Sequence, residues 1–173
     1  MSHRQHRQSG PASVACAVIT VSDTRTIATD RSGRPLCAAL ERAGHAVVEY
    51  VIVKDDPKRL RARLRSIRRR GRARVVVMSG GTGIAPRDRT FEAIDALLET
   101  RLPGFGELFR MLSYRRVGSA AMLSRATAGV WRGLVLFSLP GSPDAVRLAT
   151  RRLILPELRH VAGLVRPARR GES

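Results

Sequence analysis

Three apolar, β-branched runs, each delivered into a polar turn and then an amphipathic stretch, constrain this chain more than any other feature. Residues 14–21 (VACAVITV) read as a buried strand, and 46–53 (AVVEYVIV) and 74–78 (RVVVM) as a second and a third strand. The first ends in the polar turn SDTRTIATDRSG, and the helix of residues 35–43 follows, with Leu36 and Leu40 at i, i+4 and Gly44 as its stop. The second runs directly into Asp55 and Asp56, and Pro57 opens a helix. The third runs into Ser79, Gly80, Gly81, Thr82 and Gly83. Strand and helix alternating in this way predict a parallel sheet covered on both faces.

Beyond the glycine turn, residues 90–98 have helical spacing, and Pro103 starts a further helix whose Leu108, Met111 and Leu112 form an apolar stripe. Residues 127–130 and 133–139, separated by Trp131 and Arg132, read as strands joined by a tight turn, which adds an antiparallel pair. Residues 143–161 close the chain as a helix with Val146, Leu153 and Leu158 inward. With 173 residues and no repeat, low-complexity block or linker, the economical architecture is one three-layer α/β/α sandwich over residues 14–165, with flexible tails at 1–13 and 166–173.

The formal charge is +18, and only Lys54 and Lys58 are lysines, so arginine sets the electrostatics. Residues 57–74 carry ten basic residues and no acid, which makes one element the main source of the charge. Leu60, Leu64 and Ile67 recur there on one helical stripe, and the arginines occupy the solvated faces. Such a helix can grip a phosphate backbone. Seven aromatic residues in the whole chain give few stacking platforms, however, and no zinc-finger or RNP-type pattern is present, which argues against specific nucleic-acid binding.

No apolar run nears the roughly 18 residues of a membrane span. The leading MSHRQHRQSGPAS has no hydrophobic stretch behind its basic residues, so a cytoplasmic chain without signal peptide or membrane anchor is expected. Cys16 and Cys37 have no CxxC spacing and read as buried free thiols. His3, His6, His45 and His160 are scattered and suggest no metal cluster.

Ligands of open parallel sheets bind beyond the carboxyl ends of the strands. Ser22 and Asp23, Asp55 and Asp56, and Ser79 to Gly83 with Asp88 stand at such ends and should converge on one rim. Glycines at 80, 81 and 83 let backbone N–H groups turn toward an anion, although strand-to-helix turns also use glycine for geometry alone. Neither GxxxxGK[ST] nor GxGxxG occurs, so a P-loop and a dinucleotide fingerprint are excluded. Asp55 and Asp88 facing a phosphate-binding mouth would suit a divalent cation; magnesium takes one or two carboxylates together with phosphate oxygens. Spacing alone leaves the plainer reading open, in which Asp88 caps the helix at Thr90 and Asp55 merely precedes the helix at Pro57.

The segments VITVSDTRT with DRSG, VVVMSGGTGIAPRDRT, PGFGELFRMLSY, GSAAMLSRATAG and FSLPGSPDAVRLA run in one order across residues 14–161. Together they resemble the molybdenum cofactor biosynthesis proteins of the MoaB/MogA family, with PGFGE and FRMLSY leaning toward the MoaB branch. The resemblance implies a molybdopterin-binding fold assembled as homotrimers or homohexamers, with other cofactor-biosynthesis proteins as further partners. It also implies Mg2+-dependent adenylylation of molybdopterin by ATP, with release of pyrophosphate. Some MoaB-branch members are inactive and lack the aspartate after the second strand. Here Asp55 and Asp88 stand at the two expected places, which favours the transferase over an inactive molybdopterin-binding or carrier protein.

Carried over by position, Gly80, Gly81, Thr82 and Gly83 would hold phosphate, and Asp55 and Asp88 would organise magnesium and the molybdopterin phosphate. Asp23, Asp30 and Ser32 would line the nucleotide side, while Ser124, Arg125, Pro140, Gly141 and Ser142 would border the pterin pocket. Ser124 and Ser142 read equally well as turn or capping residues.

Overall fold

In the computed structural model, which describes residues 10–85 and 88–165, the three leading strands lie side by side. β1 (Ala15–Val21) runs parallel between β2 (Ala46–Val53) and β3 (Val75–Ser79). Two further strands, β5 (Thr127–Trp131) and β6 (Leu134–Leu139), form the antiparallel pair, β6 lying parallel to β3. A two-residue strand that sequence periodicity is too short to reveal, β4 (Thr100–Arg101), pairs with β5 and completes the order β2-β1-β3-β6-β5-β4. Val21 is in register with Val53, Thr20 with Ser79, and Ser79 with Leu139, so four strand ends share one rim.

Helices cover both faces. On one, α1 (Gly33–Arg42), α4 (Pro103–Val117), α5 (Pro143–Ala149) and α6 (Leu155–Leu164) press Leu36, Leu40, Phe105, Phe109, Val146 and Leu158 against Val18, Val77 and Phe137. On the other, α2 (Pro57–Arg70) and α3 (Thr90–Asp95) bury Leu60, Leu64, Ile67 and Ile94 against Ile19, Val76 and Leu136. Alternating strand residues thus supply two separate apolar layers. Asp56 accepts from the amides of Lys58 and Arg59 at the start of α2, Pro57 fits its first turn, and Gly71 ends it in the left-handed conformation at φ 63°. Arg63 of α2 departs from the solvated face: it is half-buried against Glu49 of β2 at 2.9 Å, whereas Arg70 reaches the same carboxylate at 3.2 Å and stays exposed.

Three packing expectations change. The expected stripe on α4 divides: Leu108 and Met111 are 47% and 46% exposed, because the aromatic Phe105 and Phe109, one step round the helix, take the sheet-facing side, while Leu112 is half-buried against the core. The β5–β6 turn is Arg132–Gly133, both at positive φ (47° and 77°), the hand that a two-residue hairpin requires, so Trp131 belongs to the strand. The closing helix is interrupted by a π-helical segment, Thr150–Ile154, whose wider turn buries Ile154 and leaves Leu153 only half-buried. Element ends also shift: α1 begins at Gly33 and α3 stops at Asp95.

Gly10 and Pro11 lie against α6, where Arg159 Nε donates to the Pro11 carbonyl at 2.8 Å, so the ordered body reaches further than residue 14. The remaining expected tails, 1–9 and 166–173, fall outside the described residues. Cys16 is buried and Cys37 half-buried; both are free, and burial pushes each thiol up to about 12. No helix among the described residues is long and apolar enough to cross a membrane.

Leu64→Ala, which empties a fully buried site under β1 and β3, should cost about 2–5 kcal/mol of stability. Arg65→Ala on the exposed side of α2 should stay within about 0.5 kcal/mol, both read by urea denaturation.

Candidate active site

The carboxyl end of β3 leaves the sheet through a passage with no room for a side chain. A Cβ on Gly80 would run into the Val21 carbonyl oxygen of β1, and the residue sits at φ 103°. Gly81, at φ 63°, would place a Cβ 2.6 Å from Thr90 Cβ and 2.8 Å from Asp55 Oδ1. Glycine alone satisfies both the conformation and the space. The exit of β6 packs on the same spot, since a Cβ on Gly141 would lie 3.1 Å from Gly80 Cα.

This close approach brings the predicted acids together around one loop. Asp55, half-buried at the end of β2, accepts from the Thr90 hydroxyl at 2.8 Å, and its own amide donates to Asp23 Oδ1 at 3.2 Å. Asp88 lies against Gly83, where a Cβ would collide with its carboxylate. Asp88 is not the cap of α3, since Arg89 stands at that position with no side-chain cap; Asp56 caps α2, and Asp55 precedes it by one residue.

Arg125 secures the other side of the loop. Its Nε donates to the Thr82 carbonyl at 2.9 Å, and its terminal nitrogens reach the carbonyls of Gly83 and Asp88 and the carboxylate of Glu92. The guanidinium also stacks 4.7 Å from the Phe91 ring centroid. It holds the Glu92 carboxyl below the usual range, first through their hydrogen bond. With its donors engaged in this way, Arg125 shapes the loop from behind.

Asp30 and Ser32 lie beneath the rim, 2% and 3% exposed. Asp30 Oδ1 accepts from the amides of Ser32 and Gly33, both at 2.9 Å, and Oδ2 accepts from the Tyr50 hydroxyl at 2.7 Å. Burial opposes ionisation of this carboxyl, but the neighbouring Thr20 hydroxyl, the Gly33 amide, the Tyr50 hydroxyl and the Ser32 amide outweigh it and hold the group below its usual range. The Ser32 hydroxyl donates to the Gly141 carbonyl at 2.8 Å, tying the start of α1 to the Pro140–Gly141–Ser142 turn. Ser142 serves as the α5 cap, accepting from the Ala145 amide at 3.3 Å, whereas Ser124 is a half-buried residue following the short 3-10 helix Gly118–Leu123. Asp23 lines a cleft of about 400 Å³ together with Ser22, Arg25, Tyr50 and Lys54. Sequence reasoning missed Thr90, Glu92 and Tyr50; only the hydroxyl of Thr90, two residues after Asp88, hinted at its part.

A family described as "probable molybdopterin binding domain" matches residues 17–160. The chain is 51% identical over 167 residues to molybdenum cofactor biosynthesis protein B of Bacillus subtilis, covering 96% of this chain and 98% of that one. The chain belongs to the MoaB family. A crystal structure of a molybdenum cofactor biosynthesis protein B superposes on this MoaB-family chain with a TM-score of 0.85 at 50% identity, covering 88% of this chain and 95% of the other. The tungsten cofactor synthesizing protein MoaB of Pyrococcus furiosus gives a TM-score of 0.79 at 41% identity, over 90% and 99% of the two chains. The fold of this MoaB-family member is therefore the molybdopterin-binding α/β sandwich, with a mixed six-stranded sheet.

Two outcomes follow from the buried polar groups. Because the folded carboxyl of Asp30 titrates below its unfolded value, its contribution is complete above about pH 4 and is lost as pH falls further. Asp30→Asn should therefore lower the melting temperature at pH 7, with the gap narrowing in acid. Arg125→Lys, which cannot bridge several carbonyls, should raise amide exchange at Gly81, Thr82 and Gly83 about tenfold while leaving β1 protected.

Proposed function

We propose that this chain transfers the adenylyl group of ATP to molybdopterin. The terminal phosphate of molybdopterin attacks the α-phosphate of ATP, the bond to the β-phosphate breaks, and pyrophosphate leaves. What supports this reading most is the placement of Asp55 and Asp88 against the same glycine loop, at Gly81 and Gly83 respectively.

The loop amides at Gly81, Thr82 and Gly83 would cradle phosphate oxygens. Asp55 and Asp88 would hold Mg2+. Their hard carboxylate oxygens fit that ion, and the Thr90 hydroxyl already fixes one oxygen of Asp55. When bound, magnesium would neutralise phosphate charge during the attack. Asp23 and its cleft would receive the nucleotide, and the Pro140–Gly141–Ser142 turn with Ser124 would border the pterin. Asp30, Ser32 and Arg125 would act from beneath and behind, by fixing the turns that carry these groups. Both reactants are polyanions, so alignment and charge neutralisation carry the catalysis; the attacking phosphate is ionised at neutral pH and needs no paired base.

The outward stripe of α4 supports self-association into trimers or hexamers. Leu108, Met111, Tyr114 and Val117 are all exposed, as are Met122 and Leu123 in the segment that follows, and large apolar side chains left to water in one region of a chain are what an interface between copies would cover.

Incubation with molybdopterin and Mg-ATP under reducing, anaerobic conditions should release pyrophosphate and form adenylylated pterin. Asp55→Asn and Asp88→Asn should each lower turnover by about 100-fold or more and abolish its magnesium dependence. Pterin binding without pyrophosphate release would instead identify a carrier. Met111→Glu should shift the protein to monomer in light scattering, and unchanged mass would dismiss the α4 face as the interface.

A further inference from the structure

On the α1, α5 face of the sheet, a second cleft is lined by four arginines. It has a volume of about 220 Å³ and is lined by Arg31, Arg42, Arg147 and Arg151, with no carboxylate among its lining residues. Arg147 pairs with Asp144 one turn earlier. Arg31, Arg42 and Arg151 have no ion pair or side-chain hydrogen bond among the described residues. Guanidinium groups gathered round one cleft repel one another, and an anion seated between them relieves that repulsion.

A different observation points to the same place. Thr150 lines the cleft, is 2% exposed, and its Oγ1 is buried with no hydrogen-bond partner among the described residues. A buried hydroxyl without a partner carries a desolvation cost, and a ligand oxygen admitted by a small shift of the side chains that cover Oγ1 would remove it. Thr150 also opens the π-helical segment Thr150–Ile154, a backbone irregularity that frequently marks functional positions. Between the arginines the floor is apolar: Leu36, Ala39 and Val146.

We propose that this cleft binds a small organic phosphate, its phosphate held by the arginines and Thr150 and its carbon body laid on the apolar floor. The volume equals that of roughly seven waters, which suits a compact phosphomonoester. The cleft starts at Ser32, next to the rim, and follows α1 to Arg42; ten helical residues rise about 15 Å, so its far end is remote from Asp55 and Asp88. Its near end, at Ser32 and Pro143, adjoins the Pro140–Gly141–Ser142 turn, and Asp88→Asn in the test below tells binding here from the transferase site.

Phenyl phosphate is the probe, titrated calorimetrically into the full chain at 0.15 M NaCl, with inorganic phosphate as the comparison. Saturable binding is expected, tighter for phenyl phosphate than for inorganic phosphate. Arg42→Glu and Arg151→Glu, both at exposed positions, should each weaken it tenfold or more, and Thr150→Val several-fold, while Asp88→Asn leaves it unchanged. Absence of saturable binding, equal affinity in the arginine variants, or loss confined to Asp88→Asn would each overturn the proposal. So would arginine variants that change the oligomeric mass without changing the affinity, since the cleft would then be an interface between copies.

Discussion

Backbone meets backbone where β1, β3 and β6 reach the rim, and the rest of the site is arranged around that contact. Gly80 fits against the Val21 carbonyl, Gly141 fits against Gly80, and Gly81 fits between Thr90 and Asp55. A single methyl group at Gly80 would push β1 from β3 and carry Asp23 and Asp55 with it. Parallel pairing in register makes this possible, because it brings the ends of four strands to one level. The acids and the loop amides therefore come from distant parts of the chain yet share one rim.

Around this contact, polar groups that sequence position would assign to a ligand divide into two sorts. Asp55, Asp88 and Asp23 remain at the rim, whereas Asp30, Ser32 and Arg125 use their donors and acceptors inside the protein. The second sort is no less important to chemistry. A phosphate cradle functions only if its amides are held before the ligand arrives, and carbonyls bound from behind by a guanidinium hold them. The excess of arginine has comparable variety: some residues of α2 hold Glu49, one holds the glycine loop, and others line the cleft beside α1.

The strands and the basic helix were legible because their signals are local. Residues 46–53 alternate little and are β-branched, and the Leu60, Leu64, Ile67 stripe is buried as its period requires. The face of α4 was not legible, since that helix carries two apolar stripes and only the sheet decides between them. Nor was the π-helical turn, since nothing in the residues of Thr150–Ile154 sets them apart from an ordinary helical stretch. At the site, the positions of Asp55 and Asp88 follow from strand ends. The roles of Arg125 and Thr90 do not, because their partners lie 43 and 35 residues away in sequence.

On the proposed reading, the two aspartates and the glycine loop form one metal–phosphate site. Crystals grown with Mn2+ and a non-hydrolysable ATP analogue test it directly through anomalous scattering. A manganese peak bonded to the carboxylates of Asp55 and Asp88 is expected, with a phosphate on the amides of residues 81–83. A nucleotide whose metal and phosphates lie away from that loop, with both carboxylates unengaged, would contradict it.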